Sequence, residues 1–427
     1  VTIGGALCVL LAVTSAVNAA PTHGQFEAAA SSVDPSLLLG RASALSGKLL
    51  VASGETAAGE GAVFIFERPK GGWRDVTPVA ILTLSDEPAG DGFGASVAAD
   101  GSTIIVGAPE TAVGGHNNAG AAYIYAKPRH GWVSTSLPTA MLTDANPADD
   151  VFVGNQVGVS GGTALVGAVN RDVGSAADAG AGLVFVEPPQ GWATGHQTAV
   201  LTSSTATTAD QTGIRLAISG ATVVLGSRAG NALVFVRPHT GWVDATETRR
   251  LGPGTPSGSF GEGVAIDGAT IAVGDPGYSG TQISQGAVYV FQRPNGSGWG
   301  GATSTLTPDA RLTAADGASN DAIGSVLAVG RDTVVAGSPS HDVGTAQEQG
   351  VAYTWHALHG RWNDSDSPQE LVATDGRQFD EFGFSVAADR RTVAVGAPFA
   401  DNPNVAQPDS DGVEYVFAKR HGHLRSR

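Results

Sequence analysis

Short apolar stretches of five or six residues recur along the chain, separated by polar, glycine-rich segments. β-Branched and aromatic residues dominate them, as in Thr103-Ile104-Ile105-Val106 and Ala121-Ala122-Tyr123-Ile124-Tyr125, and turn residues bound both ends, which is the signature of a β-strand. The stretches are themselves periodic. One block runs through Phe93-Gly94, Gly107-Ala108-Pro109, Gly120 and Gly131-Trp132, and it returns clearly at Phe260-Gly261 and Phe382-Gly383. Weaker copies begin at Leu39-Gly40, Val153-Gly154, Thr212-Gly213 and Ile323-Gly324, which makes seven. Gly107 to Gly396 spans five intervals, a mean period of about 58 residues. Seven such periods occupy nearly the whole chain.

Each period predicts four strands; in the clearest copy these are A (93–98), B (103–107), C (121–126) and D (133–143). Four-stranded units repeated four to eight times describe a β-propeller, whose radial closure leaves only short edges; an open solenoid would need polar capping repeats, which the sequence lacks. The expected fold is therefore all-β, a seven-bladed propeller of antiparallel blades. The last copy has no D strand after its C strand, while residues 23–38 precede the first A strand and stand where a D strand would. That N-terminal segment is expected to pair onto the seventh blade, closing the ring and covering an edge open to aggregation.

Composition fits this picture. The 60 glycines are about twice the usual share, and charged residues, at 15%, fall below the usual ~25% while apolar content stays near normal. A disordered chain would show the reverse. The net charge of -16 repels nucleic-acid phosphates and anionic lipid and favours cationic partners. Residues 3–13 are apolar and lead to Val17-Asn18-Ala19, which predicts a secretory signal peptide over residues 1–20, cleaved after Ala19 or Ala20. Residues 21–427 then form a single propeller domain, secreted to an extracellular or cell-envelope location, and a bacterial product. Cys8, the only cysteine, lies in the signal, so stability rests on a large core rather than on disulfides. No later stretch is long and apolar enough to span a bilayer, and a monomer is expected.

At its Phe-Gly and Gly-Ala-Pro elements the chain resembles the FG-GAP repeat family, best known from the propeller head of integrin α subunits. The resemblance covers essentially all of residues 21–427. It implies a seven-bladed propeller, an extracellular location, and roles in adhesion, ligand binding or attachment to larger secreted proteins. Many family repeats carry a calcium loop between strands A and B. Here that junction is a tight turn, at Asp100-Gly101, Ser160-Gly161, Ser219-Gly220, Asp267-Gly268 and Asp389-Arg390. A two-residue hairpin has no room for the oxygens calcium needs, so the family's metal sites are not carried over and no cofactor is expected.

Several motifs have structural readings that outweigh functional ones. Trp73, Trp132, Trp192, Trp242, Trp299 and Trp362 follow the C-to-D turn in successive copies, and a repeated wedge between blades explains them better than six sugar platforms. His130, His239, His359 and His421 occupy that turn on different blades, too dispersed to share a zinc ion. Gly158-Val159-Ser160-Gly161-Gly162 has nucleophile-elbow spacing, yet the repeat places Ser160 in an A-to-B hairpin rather than at a strand-to-helix turn.

The acidic residues concentrate in the D-to-A and B-to-C loops, which strand alternation puts on one face. Asp91, Asp210, Asp321 and Asp380 share one position just ahead of the glycine that opens strand A. They are expected either to cap backbone donors in the turn or to build a face for a divalent cation or basic partner. The candidate ligand-binding set on this face is Asp91, Asp149, Asp150, Asp321, His341, Asp342, Asp380, Glu381, Asp401, Asp409 and Asp411. The sixth copy, with His341, Asp342, Glu348, Trp355 and His356, and the loop at 399–412 are the densest regions. No catalytic constellation is evident. The leading expectation is a non-enzymatic module presenting its loop face to a protein or glycan; the alternative is a polysaccharide lyase or hydrolase on the same scaffold, since propellers also host chemistry.

Overall fold

A computed structural model describes residues 23–28, 38–56, 59–85, 90–254, 258–294, 298–300, 305–364, 367–401 and 411–419. The proposed signal peptide, Asp86, Glu87, Asp409 and His421 lie outside these. Seven separate antiparallel sheets follow one another along the chain. In the second blade the strands are A Ser96–Asp100, B Thr103–Ala108, C Ala121–Ala126 and D Ala140–Thr143, paired in that order. The A strands touch their neighbours all the way round, including Ser385–Asp389 of blade 7 against Ser43–Ser46 of blade 1. The fold is an all-β, seven-bladed propeller.

The seventh sheet takes its fourth strand from the other end of the chain. His23–Ala28 runs antiparallel to Val413–Lys419, with pairs from His23 with Lys419 to Ala28 with Glu414. Leu39 then bridges Gly412 as the chain enters blade 1.

Two strand boundaries differ from expectation. Strand A of blade 2 starts at Ser96 rather than Phe93, because Gly94 adopts a left-handed φ of 90° and donates its N–H to Gly107 O at 3.0 Å. Only its second half is a D strand in the segment 133–143: Thr135 instead bridges Leu82 of the preceding blade in parallel. The C-to-D connections of blades 2 to 5 thus reach back over the preceding blade, as Gly195–His196 does beside Leu142 and Thr143.

Seven apolar clusters among the described residues each draw on two adjacent blades. The core therefore lies between blades, and its aromatic wedges come from the C-to-D turns: Trp132 enters the cluster shared with blade 1, Trp192 that shared with blade 2. All six turn tryptophans are buried, as their repeated position predicts.

The Phe-Gly and Gly-Ala-Pro elements meet across each junction. A Cβ on Gly107 would lie 1.9 Å from Gly154 O in the next blade, and one on Gly274 would lie 1.8 Å from Gly324 O. Only glycine permits this approach. Ser53 holds the equivalent place in blade 1, opposite Val63 in the B–C pairing as Gly107 is opposite Ala122. On the opposite face, hydrogen bonds link successive A-to-B hairpins: Ser46 Oγ accepts from Gly101 N (3.0 Å), Asp100 from Gly161 N (2.6 Å), Ser160 from Gly220 N (3.0 Å), Ser219 from Gly268 N (3.1 Å) and Asp267 from Arg331 N (2.7 Å). Ser160 is thus a structural link, not an elbow nucleophile.

Candidate functional site

The D-to-A and B-to-C loops share one face because they pair with each other. Asp150, Phe152 and Val153 donate their N–H groups to Asn117, Asn118 and Ala119 of the preceding blade at 2.9–3.0 Å. The same three rungs join Phe379, Glu381 and Phe382 to Gln347, Glu348 and Gln349. Each such junction holds non-glycine residues in the left-handed region, among them Asp150 (58°), Phe379 (67°) and Glu381 (53°).

Most of the predicted acidic residues serve these loops. Asp321 Oδ2 accepts from Ala318 N at 2.6 Å, Asp380 Oδ2 from Arg377 N at 2.6 Å, and Asp210 Oδ2 from Thr207 N at 2.8 Å. At Asp210, Asp321 and Asp380 the shared aspartate is thus a turn cap. Asp149 Oδ1 accepts from Asn117 N (2.9 Å), Asp150 Oδ1 from Asn118 Nδ2 (2.8 Å) and Asp342 Oδ1 from Glu348 N (2.9 Å). Asp411 is buried and its carbonyl accepts from Leu39 N at 3.1 Å. The ten described residues of the predicted set do not converge on one point, and among the described residues no group of three His, Cys, Asp or Glu is placed to hold a metal ion.

Two places bring candidate side chains together, and a third holds one of them. On blade 7, Asp380, Glu381 and Asp401 line a cleft of about 510 Å³ with Arg377, Phe379 and Phe399. Phe379 is 49% and Phe399 39% exposed, and Arg377 pairs with Asp401. Burial pushes the Asp380 carboxyl up to about 6 against the opposing bond from Arg377 N, and burial followed by the charge of Glu348 raises Glu381. In blade 6, His341 Nδ1 lies 2.8 Å from Asp321 Oδ2, a contact that raises the imidazole's pKa. Beside it Tyr353 Oη donates to Asp316 at 3.3 Å, and Glu370 is raised by burial and its hydrogen bond to Asp316.

The third place is a cleft of about 470 Å³ between blades 1 and 2, which Asp91 lines with Arg41, Glu55, Glu60, Glu110 and Phe93. The blade 1 B-to-C connection covers only residues 56–60, against 109–120 in blade 2, so the space a longer loop would fill stays open. Sequence reasoning missed Phe379 and the residues of this cleft other than Asp91, and reached Phe399 only as the start of the loop 399–412. The signal available for them was departure from the repeat: a short connector, and a large aromatic at Phe379 where other copies have Asp150, Ala209 and Asn320.

The fold is that of a repeat propeller whose D-to-A and B-to-C loops lie on one face of the ring. The FG-GAP repeat family matches residues 76–125, 254–291, 307–355 and 366–417. The chain carries FG-GAP repeats, and its repeats form a seven-bladed β-propeller. No curated protein matches it.

Proposed function

We propose that this propeller is a non-enzymatic binding or adhesion module, exported to the cell envelope or the medium, whose D-to-A and B-to-C loop face takes a protein or glycan ligand. The observation that carries this reading is the blade 7 cleft. Phe379 stands half exposed in a left-handed conformation, which costs a bulky residue energy that burial does not return. Exposed aromatic faces beside carboxylates suit a ligand with an apolar face and hydrogen-bond donors. A glycan and protein array probed with residues 21–427 tests it: the best hit should weaken at least tenfold with Phe379→Ala and Phe399→Ala, and hits indifferent to both changes would overturn the assignment of this face.

The enzyme alternative has one observation in its favour, the His341, Asp321, Tyr353, Asp316 and Glu370 cluster of titratable groups in blade 6. Turnover of an acidic polysaccharide that disappears with His341→Ala, while the array hits persist, would support it.

A further inference from the structure

We infer that the B-to-C loop of blade 6 is a pH-dependent latch: protonated His341 clamps it to the loop before it, and loss of that proton loosens it together with the segment that carries Phe379. This regulation rests on the reading of the Phe379 cleft as the binding site. Blades 3 and 6 carry the same B-to-C loop, at residues 171–180 and 341–350. Gly180 N donates to Arg171 O at 2.9 Å, and Gly350 N to His341 O at 3.0 Å. Val173 bridges Ala176 as Val343 bridges Ala346. Asp172 Oδ1 accepts from Asp178 N at 3.0 Å, and Asp342 Oδ1 from Glu348 N at 2.9 Å. Each loop then receives three rungs from the D-to-A loop that follows: Ala209, Gln211 and Thr212 donate to Ala177, Asp178 and Ala179, while Phe379, Glu381 and Phe382 donate to Gln347, Glu348 and Gln349. The decisive difference lies in the first residue, which fastens each loop to the D-to-A loop before it. Arg171 Nε donates to Asp144 Oδ2 at 2.7 Å, whereas His341 Nδ1 lies 2.8 Å from Asp321 Oδ2. A guanidinium keeps its charge at every working pH, and an imidazole does not.

The surroundings of His341 make the loss of its proton consequential. Asp321 and Asp316 act on it from the D-to-A loop and Glu370 from the strand Gln369–Leu371, while the Tyr353 ring stands edge-on at 6.1 Å from the strand Val351–His356. Asp321 is held in place by other bonds: its Oδ2 also accepts from Ala318 N at 2.6 Å, and its carbonyl accepts from Ser338 Oγ at 2.8 Å. The imidazole is therefore the partner that can let go. Its bond to Asp321, followed by the charges of Asp321, Asp316 and Glu370, raises it above the ordinary 6.5 against the opposing effect of burial. A raised histidine contributes its charge-assisted bond at lower pH and loses it as pH rises through the raised value. The neutral ring then leaves three carboxylates without a compensating charge, and the loop that carries the rungs to Phe379, Glu381 and Phe382 is held more weakly.

Hydrogen exchange of the full chain, read by mass spectrometry from about pH 5.5 to 8.5 and corrected for intrinsic exchange, tests the latch without a ligand. Segment 376–384 should lose at least about threefold in protection across this range, while segment 206–214, hung on the Arg171 loop, should not. His341→Arg should keep the protection and abolish its pH dependence. His341→Gln should hold segment 376–384 at the parent's high-pH level throughout. A second measurement leaves His341 in place: its ring, followed by NMR, should titrate above 6.5 and move down in Asp321→Asn, which keeps an acceptor for Ala318 N. An equal pH response in the two segments, a response that survives His341→Arg, or a ring that titrates at or below 6.5 would each overturn the inference. Failure of the latch leaves the array result standing, whereas array hits indifferent to Phe379 would remove the regulated site and leave the exchange result intact.

Discussion

Ser43 Oγ, in the first blade, donates a 2.8 Å hydrogen bond to Glu414 Oε2 in the seventh. The carboxyl is fully buried, and Ser43 Oγ also lies 2.6 Å from Ser385 Oγ, which donates to Gly40 O at 2.7 Å. At the equivalent position of strand C the other blades have Val63, Ala122, Gly182, Ala232, Val288 and Ala352. The junction where the ring meets itself is therefore the one built around a polar contact of this kind. Burial pushes the Glu414 carboxyl up to about 8, opposed by the Ser43 bond, and no charged group contributes.

That shift predicts an alkaline weakness. Below about pH 4.5 the carboxyl is protonated in both folded and unfolded chains; between there and about 8 the folded state holds a proton that the unfolded state releases, so stability falls as pH rises. The total loss is on the order of a few kcal/mol. Calorimetric melting from pH 5 to 9 should show a downward slope that Glu414→Gln flattens; coincident slopes would count against a neutral buried Glu414.

Removing residues 21–38 deletes the strand His23–Ala28 and leaves the edge of Val413–Lys419 unpaired. The truncated protein should melt earlier and self-associate through that edge. An unchanged, monomeric melting profile in sedimentation and calorimetry would contradict this.

Gly107→Ala places a methyl group 1.9 Å from Gly154 O. Backbone does not yield as a side-chain tip would, so the blade 2–3 junction must open, at a cost of about 1–3 kcal/mol or more. Ser53→Gly, at the equivalent place in blade 1, should cost little by the same measurement in urea.

Trp132 is 8% exposed in the cluster between blades 1 and 2. Trp132→Ala is expected to cost about 3–5 kcal/mol, with the loss of the unfolding midpoint read by denaturant titration. A loss below about 1 kcal/mol would disprove the wedge role.

Blade number, strand order and the tryptophan wedges were legible because each rests on a repeated local pattern, and seven copies average out the degeneracy of any one. Strand limits at Ser96 and Ala140 were not, because Gly94 turns left-handed to bond Gly107 O and Thr135 bridges Leu82 of the neighbouring blade, neither of which the repeat pattern spells out. The acidic residues were legible as a face but not as a site: Asp321 and Asp380 spend their carboxylates on turn donors, which spacing alone leaves open. Ser53 and Glu414 were readable only as exceptions, and pairing register was needed to show which residue of each copy they replace.

The hairpin belt stops at blade 6. Gly330 takes the place that Asp267 and Ser219 hold, so it has no side chain to offer Arg390 N, and a Cβ there would sit 3.1 Å from Asp389 C. Arg390 N turns to its own Asp389 instead, at 2.5 Å. The last blade is thus held to its predecessor by apolar packing without a hairpin link, while its fourth strand is made at the opposite end of the chain. During synthesis the earliest strand must wait for the latest, so six blades can stack in order of emergence while the seventh is assembled only after residue 419 exists.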